Sequence, residues 1–177
     1  CARIVDSPPG RACQMNRGAD AASGELLVFL HADSRLPDGF DQHVRTLIDH
    51  SGVVAGAFQL GIDSPSFSLR MIEKAANWRS RHLQMPYGDQ AIFLEKERFL
   101  LMGGFPNLPI MEDFEFVRRL RSQGRIVIAP VPATTSARRW QRLGPVHTTF
   151  INQMVILAFY AGVDPLRLAL WYRQSGE

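Results

Sequence analysis

Two kinds of apolar run alternate along the chain. Leu26 to Leu30 is continuous and ends abruptly in His31-Ala32-Asp33-Ser34 before Pro37. A short apolar run closed by polar residues and a turn predicts a central strand of a parallel sheet that delivers side chains at its carboxyl end. "ARIVDS" reads as an earlier strand, and "PPGRACQMNRGADAASGE" supplies a turn and then a helix from about Ala12 to Ala22, closed by Gly24. Pro37 to Gly39 open a second helix to about His50, and "GVVAGAFQL" alternates and bends as a glycine-containing strand does. The order is β-α-β-α-β.

Beyond Pro65 the period lengthens. Leu69, Ile72, Ala76 and Leu83 fall on one face of a predicted helix ending near Leu83. "YGDQAIFLEKERFLLMGGF" then reads as a loop, a strand at Gln90 to Leu94, a short helix and a double-glycine stop. "MEDFEFVRRLRSQG" is a helix with acids first and arginines last, as the helix dipole favours, capped by Gly124. "RIVIAP" is a further short strand. Two helices close the chain, about Pro145 to Gly162 and Asp164 to Tyr172, the second with Asp164 as N-cap and Pro165 at its first position. Phe150, Met154, Leu157 and Ala161 recur at spacings of three and four, which predicts a face packed on the domain or on a twin subunit. The expected fold class is α/β, one domain over residues 1–177 with a helical tail at 145–177 and no internal repeat.

Composition narrows this only modestly. A chain of 177 residues that is 46% hydrophobic can build one core, with little room for a second. Its formal charge of +3 is mildly basic, with arginines gathered in "RRLRSQGR" and "SARRWQR". Such clusters either hold phosphates or form solvated helix faces. Cys1 and Cys13 lack the spacing of a metal site or disulfide framework, so a reducing, cytoplasmic setting is the default. "MVILAFYAGV", Met154 to Val163, is too short to span a bilayer and predicts a core helix, with contact at a membrane surface as the alternative.

Candidate chemistry begins with two carboxylates. Asp33 follows the predicted strand at the edge where open α/β sheets bind ligands, and it is a turn former or a ligand for a cation or phosphate. Asp113 lies where a Gly-Gly-Phe-Pro loop runs into a helix N-terminus. Capping accounts for one acid there, but less well for Glu112, Asp113 and Glu115 together. One of Asp33 and Asp113 is suited to hold a divalent ion, and the other to take a proton from a substrate hydroxyl.

The strings "GRACQMNRGADAASGELLVFLHADSRLP", "YGDQAIF", "GGFPNLPIMEDFEFVRRLRSQGR", "TSARRW" and "GVDPLRLALWYR" occur in that order. Together they resemble family 2 glycosyltransferases, in particular a bacterial branch with His-Ala-Asp in place of Asp-X-Asp, from about Arg11 to Arg173. The resemblance implies a GT-A fold, a mostly parallel Rossmann-like sheet flanked by helices, and inverting transfer from a nucleotide-sugar donor to an acceptor. It implies that Asp33 holds Mg²⁺ or Mn²⁺ on the donor diphosphate, that Asp113 is the catalytic base and that Glu112 is its structural partner.

His31 stands where the wider family has its first Asp, as a neutral metal ligand, a donor to phosphate or a packed residue. Arg11, Asn16 and Gly18 match the nucleotide-side segment, although Asn16 and Gly18 equally suit ordinary helix packing. Asp89 and Gln90 are expected to face the sugar or acceptor pocket. Arg138, Arg139 and Trp140 resemble a Q-x-x-R-W element without its Gln, and suit a pyrophosphate or a sugar face, with core packing as the other reading of Trp140. His147 is a surface or core residue, or a C-terminal metal ligand.

The expected partners are a nucleotide-sugar donor and an acceptor rather than nucleic acid. Association with a second copy and peripheral membrane contact stay open. A non-catalytic nucleotide- or sugar-binding module and a nucleotidyltransferase are the competing functions. The resemblance also lacks the family's first strands, which predicts about forty to fifty further N-terminal residues, the length of a β-α-β unit.

Overall fold

The computed structural model describes residues 3–175. Residues 3–10 contain no helix or strand, and Ile4 is almost fully exposed, so the strand expected over "ARIVDS" does not form among them. Cys1 and Ala2 lie outside the described residues. Helix α1 (Arg11–Ala21) places the small side chains of Ala12 and Ala19 inward. Strand β1 (Leu26–Val28) follows, then β2 (Ser34–Arg35) and α2 (Phe40–Ile48). Strand β3 (Val53–Asp63) runs into α3 (Phe67–Leu83), a 3₁₀ turn (Gly88–Gln90), β4 (Phe93–Glu95) and α4 (Lys96–Leu101). Helix α5 (Glu112–Arg121), β5 (Arg125–Ser136), α6 (Arg138–Leu143), α7 (Pro145–Tyr160) and α8 (Pro165–Gln174) complete the chain.

The five strands form one mixed sheet in the order β1-β4-β3-β5-β2. Only β3 and β5 run parallel; β1 with β4, β4 with β3, and β2 with β5 are antiparallel. The fold is therefore α/β, but the sheet is not mostly parallel. The Leu26 to Leu30 run is not central either, because β1 pairs with β4 alone among the described strands and its other edge lies open. An apolar run reports burial, and β1 obtains it on its two faces, Leu27 in the main core cluster and Leu26 and Val28 against the cluster of Val44, Phe58 and Phe93.

Two strands depart from their expected lengths. "RIVIAP" continues through Pro130 and Pro132 into the twelve-residue β5, with a register irregularity against β3 between Ala57 and Gln59. The strand expected at Gln90 to Leu94 is divided between the 3₁₀ turn and β4.

Most of β3 has only β5 beside it, since β4 reaches it at Gly56 alone. The remaining backbone groups on that side are paired by buried polar side chains. Gln90 Nε2 donates to the Phe58 carbonyl at 3.0 Å. Asn77 accepts from the Leu60 N–H at 2.7 Å and donates to the Leu60 carbonyl at 3.0 Å. Glu73 accepts from the Ile62 N–H. These contacts explain why α3 turns Glu73 and Ser80 inward along with Leu69, because an unpaired buried backbone group costs about 1–3 kcal/mol. Of the apolar face expected on α3, Leu69, Ile72 and Ala76 pack, whereas Leu83 is exposed.

The core cluster under the site is aromatic. Phe29, Phe99, Phe105 and Phe116 meet with ring centroids 4.6–5.5 Å apart, and this packing anchors the Gly103-Gly104-Phe105 loop that leads to α5. Gly104 has φ 67° and a Cβ there would lie 2.7 Å from Asn16 Oδ1, so the loop needs glycine on both counts.

Candidate active site

A cavity of about 280 Å³ opens among α1, the segment after β1, the 3₁₀ turn, the start of α5, the end of β5 and the helices α6 to α8. Each element delivers its side chain for a local reason. The Met111 backbone is left-handed at φ 67°, turning the chain so that α5 starts with Glu112 and Asp113 at its exposed N–H groups. Non-glycine residues in that region are strained, and Ala91 at φ 47° repeats the feature just beyond the 3₁₀ turn.

Gly88 lies at the centre. Its N–H donates to Asp113 Oδ2 at 2.8 Å, and Asp113 Oδ1 accepts from the Phe114 N–H at 2.8 Å. Two backbone donors thus orient the carboxylate, and each oxygen keeps lone-pair capacity for a ligand. A Cβ on Gly88 would lie 2.6 Å from Asp113 Oδ2, 2.9 Å from His31 Nε2 and 3.1 Å from Arg11 Nη2. A carboxylate, an imidazole and a guanidinium therefore converge where only glycine leaves room.

Arg11 ties the group together. Its Nη2 lies 3.0 Å from His31 Nε2 and 3.7 Å from Asp113 Oδ2, and its Nε lies 3.0 Å from Glu112 Oε1. The Glu112 pair is an ion pair by distance, but no N–H is aimed at Oε1 well enough to make a hydrogen bond. Burial, then the neighbouring Asp113, raise the Glu112 pKa, while Arg11 lowers it. Glu112 does not line the cavity; it is a buried counter-ion that positions Arg11. Burial first, and Arg11 second, lower the pKa of His31. The imidazole is thus neutral near pH 7, with Nε2 accepting from Arg11 and Nδ1 carrying the proton.

Asp89 is the second carboxylate of the cavity. Burial is the main cause raising its pKa, to about 6, against the opposing charge of Arg79. Its Oδ1 is buried with no hydrogen-bond partner. Arg79 stacks over the Tyr87 ring at 3.4 Å and donates to the Met85 carbonyl at 3.1 Å. Asp33 completes the acidic lining; its backbone carbonyl accepts from the Ser136 N–H at 3.1 Å, which joins the segment after β1 to the end of β5.

The expected site residues separate into two groups. Arg11, His31, Asp33, Asp89, Asp113, Arg139 and Trp140 line the cavity together. Gln90 does not: it is fully buried, bonded to Phe58, to Ser80 Oγ at 2.7 Å and to the Tyr87 N–H. Asn16 clamps α1 to the Phe105 backbone through both its amide atoms, each at 2.9 Å. Gly18 lines the separate groove between α1 and β1. Arg138 lies outside the cavity against Ser136 Oγ, and His147 is exposed away from it.

Several lining residues were not anticipated. Thr148 and Asn152 face the cavity from α7, Thr148 with a buried, unpartnered Oγ1. Tyr172 accepts from Arg139, whose guanidinium stacks on its ring at 4.2 Å, and donates to Asn152 Oδ1 at 3.4 Å. Thr148 and Asn152 lie four apart and so share one helix face, which was the available signal, although His147, Thr149 and Gln153 dilute it.

The divalent ion implied by the resemblance can be tested against these donors. Among the described residues no group of three or more His, Cys, Asp or Glu side chains could hold a metal. His31 Nε2 is already occupied by Arg11. The donors therefore do not fit an ion held by protein alone, but Asp33 fits one that arrives on a diphosphate, since Mg²⁺ takes one or two carboxylates and fills its shell with phosphate and water. Comparison with protein-family models, with curated proteins and with solved structures finds no match to this chain.

Proposed function

We propose that this chain is an inverting glycosyltransferase of the GT-A type, moving a sugar from a nucleoside-diphosphate sugar to an acceptor hydroxyl. The observation that carries the reading is the convergence on Gly88, where an oriented carboxylate and a half-exposed arginine meet without an intervening side chain. The motif order described above supplies the rest of the support.

Asp113 accepts the proton of the acceptor hydroxyl as that oxygen forms its bond to the anomeric carbon. The bond from that carbon to the diphosphate breaks on the opposite face, and the departing phosphate oxygen takes the electron pair. Arg11, half exposed and beside Asp113, helps to hold that carboxylate and offers a positive charge to an anionic donor entering the cavity. Mg²⁺ or Mn²⁺, when bound with the donor through Asp33, supplies further positive charge to the diphosphate. Asp89 lines the same cavity and offers its carboxylate to a sugar hydroxyl. Arg139 and Trp140 border the same cavity and offer a cation and an indole face to donor or acceptor.

Thermal unfolding with a panel of nucleoside diphosphates, with and without Mn²⁺, tests this reading. One diphosphate should stabilise the wild type in Mn²⁺, by about 2.7 kcal/mol at a hundredfold excess over Kd. Asp33→Ala should lose the Mn²⁺-dependent part and keep the metal-free part. Stabilisation without any turnover of the matching nucleotide sugar would favour the non-catalytic binding module. No stabilisation by any diphosphate would overturn donor binding altogether.

A further inference from the structure

We infer that the outward faces of α7 and α8 form a docking surface for an anionic lipid bilayer. Helix α7 is apolar on two sides. Its inward face packs Ile151, Val155 and Phe159 on the core beside the polar Thr148 and Asn152. A second, outward stripe leaves Val146 83%, Phe150 61% and Leu157 62% exposed with Met154 beside them, interrupted by Gln153. Helices of soluble domains turn their apolar stripe to the core, so a stripe turned outward requires something outside to cover it.

Helix α8 repeats the pattern with charge added. Leu166 is 62% and Leu170 60% exposed, flanked in sequence by Arg167, Trp171 and Arg173. Neither the Arg167 nor the Arg173 side chain makes an ion pair or hydrogen bond among the described residues. The stretch from Arg138 to Ser175 carries a single acid, Asp164, whose carboxylate caps the Leu166 N–H at 3.0 Å. An apolar stripe bordered by arginines and an indole suits the boundary between headgroups and acyl chains. A second copy laid on this face would set the same arginines against one another, whereas anionic headgroups complement them.

No helix among the described residues is long and apolar enough to cross a membrane, so the pair would lie in the surface plane. One side of α7 lines the cavity while the opposite side meets lipid. The cavity therefore sits within about one helix diameter, ~10 Å, of the headgroups.

Flotation of the whole chain with vesicles of phosphatidylcholine, with and without phosphatidylglycerol, tests the inference. The chain should float with the phosphatidylglycerol vesicles and much less with phosphatidylcholine alone. Phe150→Ser combined with Leu157→Ser should abolish flotation while unfolding remains cooperative. Should that pair not fold, Arg167→Gln with Arg173→Gln removes only exposed, unpaired charge and should lower the bound fraction more than about tenfold. Equal flotation with both lipids, or none with either, overturns the inference. A dimer in sedimentation equilibrium that fails to float, and that the Phe150 and Leu157 changes dissociate, assigns the face to a second copy instead.

Discussion

Helices α5 and α7 both present one face to the cavity, yet they reach it by opposite routes. In α5, Phe116, Val117 and Leu120 are completely buried, and the acids gather in the first turn, where the helix N-terminus favours them. Core packing and cavity chemistry then agree on how the helix must lie. In α7, Thr148, Ile151 and Val155 are the buried positions and Phe159 packs beside them, while Phe150, Met154 and Leu157 face outward. The difference teaches that an apolar period identifies a stripe without saying which partner covers it. The face expected to pack, with Phe150, Met154, Leu157 and Ala161, is the exposed one.

The sharpest test of this contrast is on α5. Asp113→Asn keeps the shape of the side chain and removes its basicity, so turnover should fall by about 10²–10⁴ in single-turnover assays, with diphosphate affinity nearly unchanged. Undiminished turnover would remove α5 from the chemistry. Within α7 the two faces should differ in stability alone. Ile151→Ala should cost about 2–5 kcal/mol in denaturant unfolding, and Leu157→Ser less than about 0.5 kcal/mol. Similar losses at both positions would mean that the outward stripe is already covered within this chain.

Asp89, on the 3₁₀ turn that lines the same cavity, allows a third test through its pH dependence. Its pKa is raised from 3.8 to about 6 in the folded state, so between those values the folded state holds more proton than the unfolded state. Stability must then fall as pH rises through that window, and the full penalty of at most about 3 kcal/mol is present above pH 6. Asp89→Asn should therefore raise Tm at pH 8, have almost no effect on Tm below pH 4, and weaken binding of the sugar part of the donor. A Tm difference that is flat with pH would show that Asp89 carries no such burden.

Much of the site was legible in residue types and their order. Asp33, Asp113 and Arg11 were identified from a strand end, a helix start and a motif, and the chain brings them to one cavity. Gln90 was placed on the ligand side, and Asn16 either there or in helix packing; both are clamps. Asn16 replaces missing backbone partners at Phe105, and Gln90 does so at Phe58. A buried amide that pairs backbone groups and one that reads a ligand look alike in sequence, since both are polar residues among apolar ones. Gly88 was present in "YGDQ", but its role depends on atoms that approach from α1, from His31 and from α5.

Local physics determined the elements themselves. Helix α5 begins at its acids and ends at its arginines, α8 is capped by Asp164 with Pro165 behind it, and α1 stops before Gly24, because dipoles, caps and turn residues act within a few positions of the chain. Tertiary structure alone decided the order and direction of the strands. The continuous run at Leu26 suits a central strand, yet β1 is an edge strand paired antiparallel with β4, because apolar composition records how much surface is buried and not by what. The outward turn of α7 has the same origin. Thr148, Asn152, Val155 and Ile156 face the cavity and Ile151 the core, which leaves Phe150, Met154 and Leu157 on the other side of the helix.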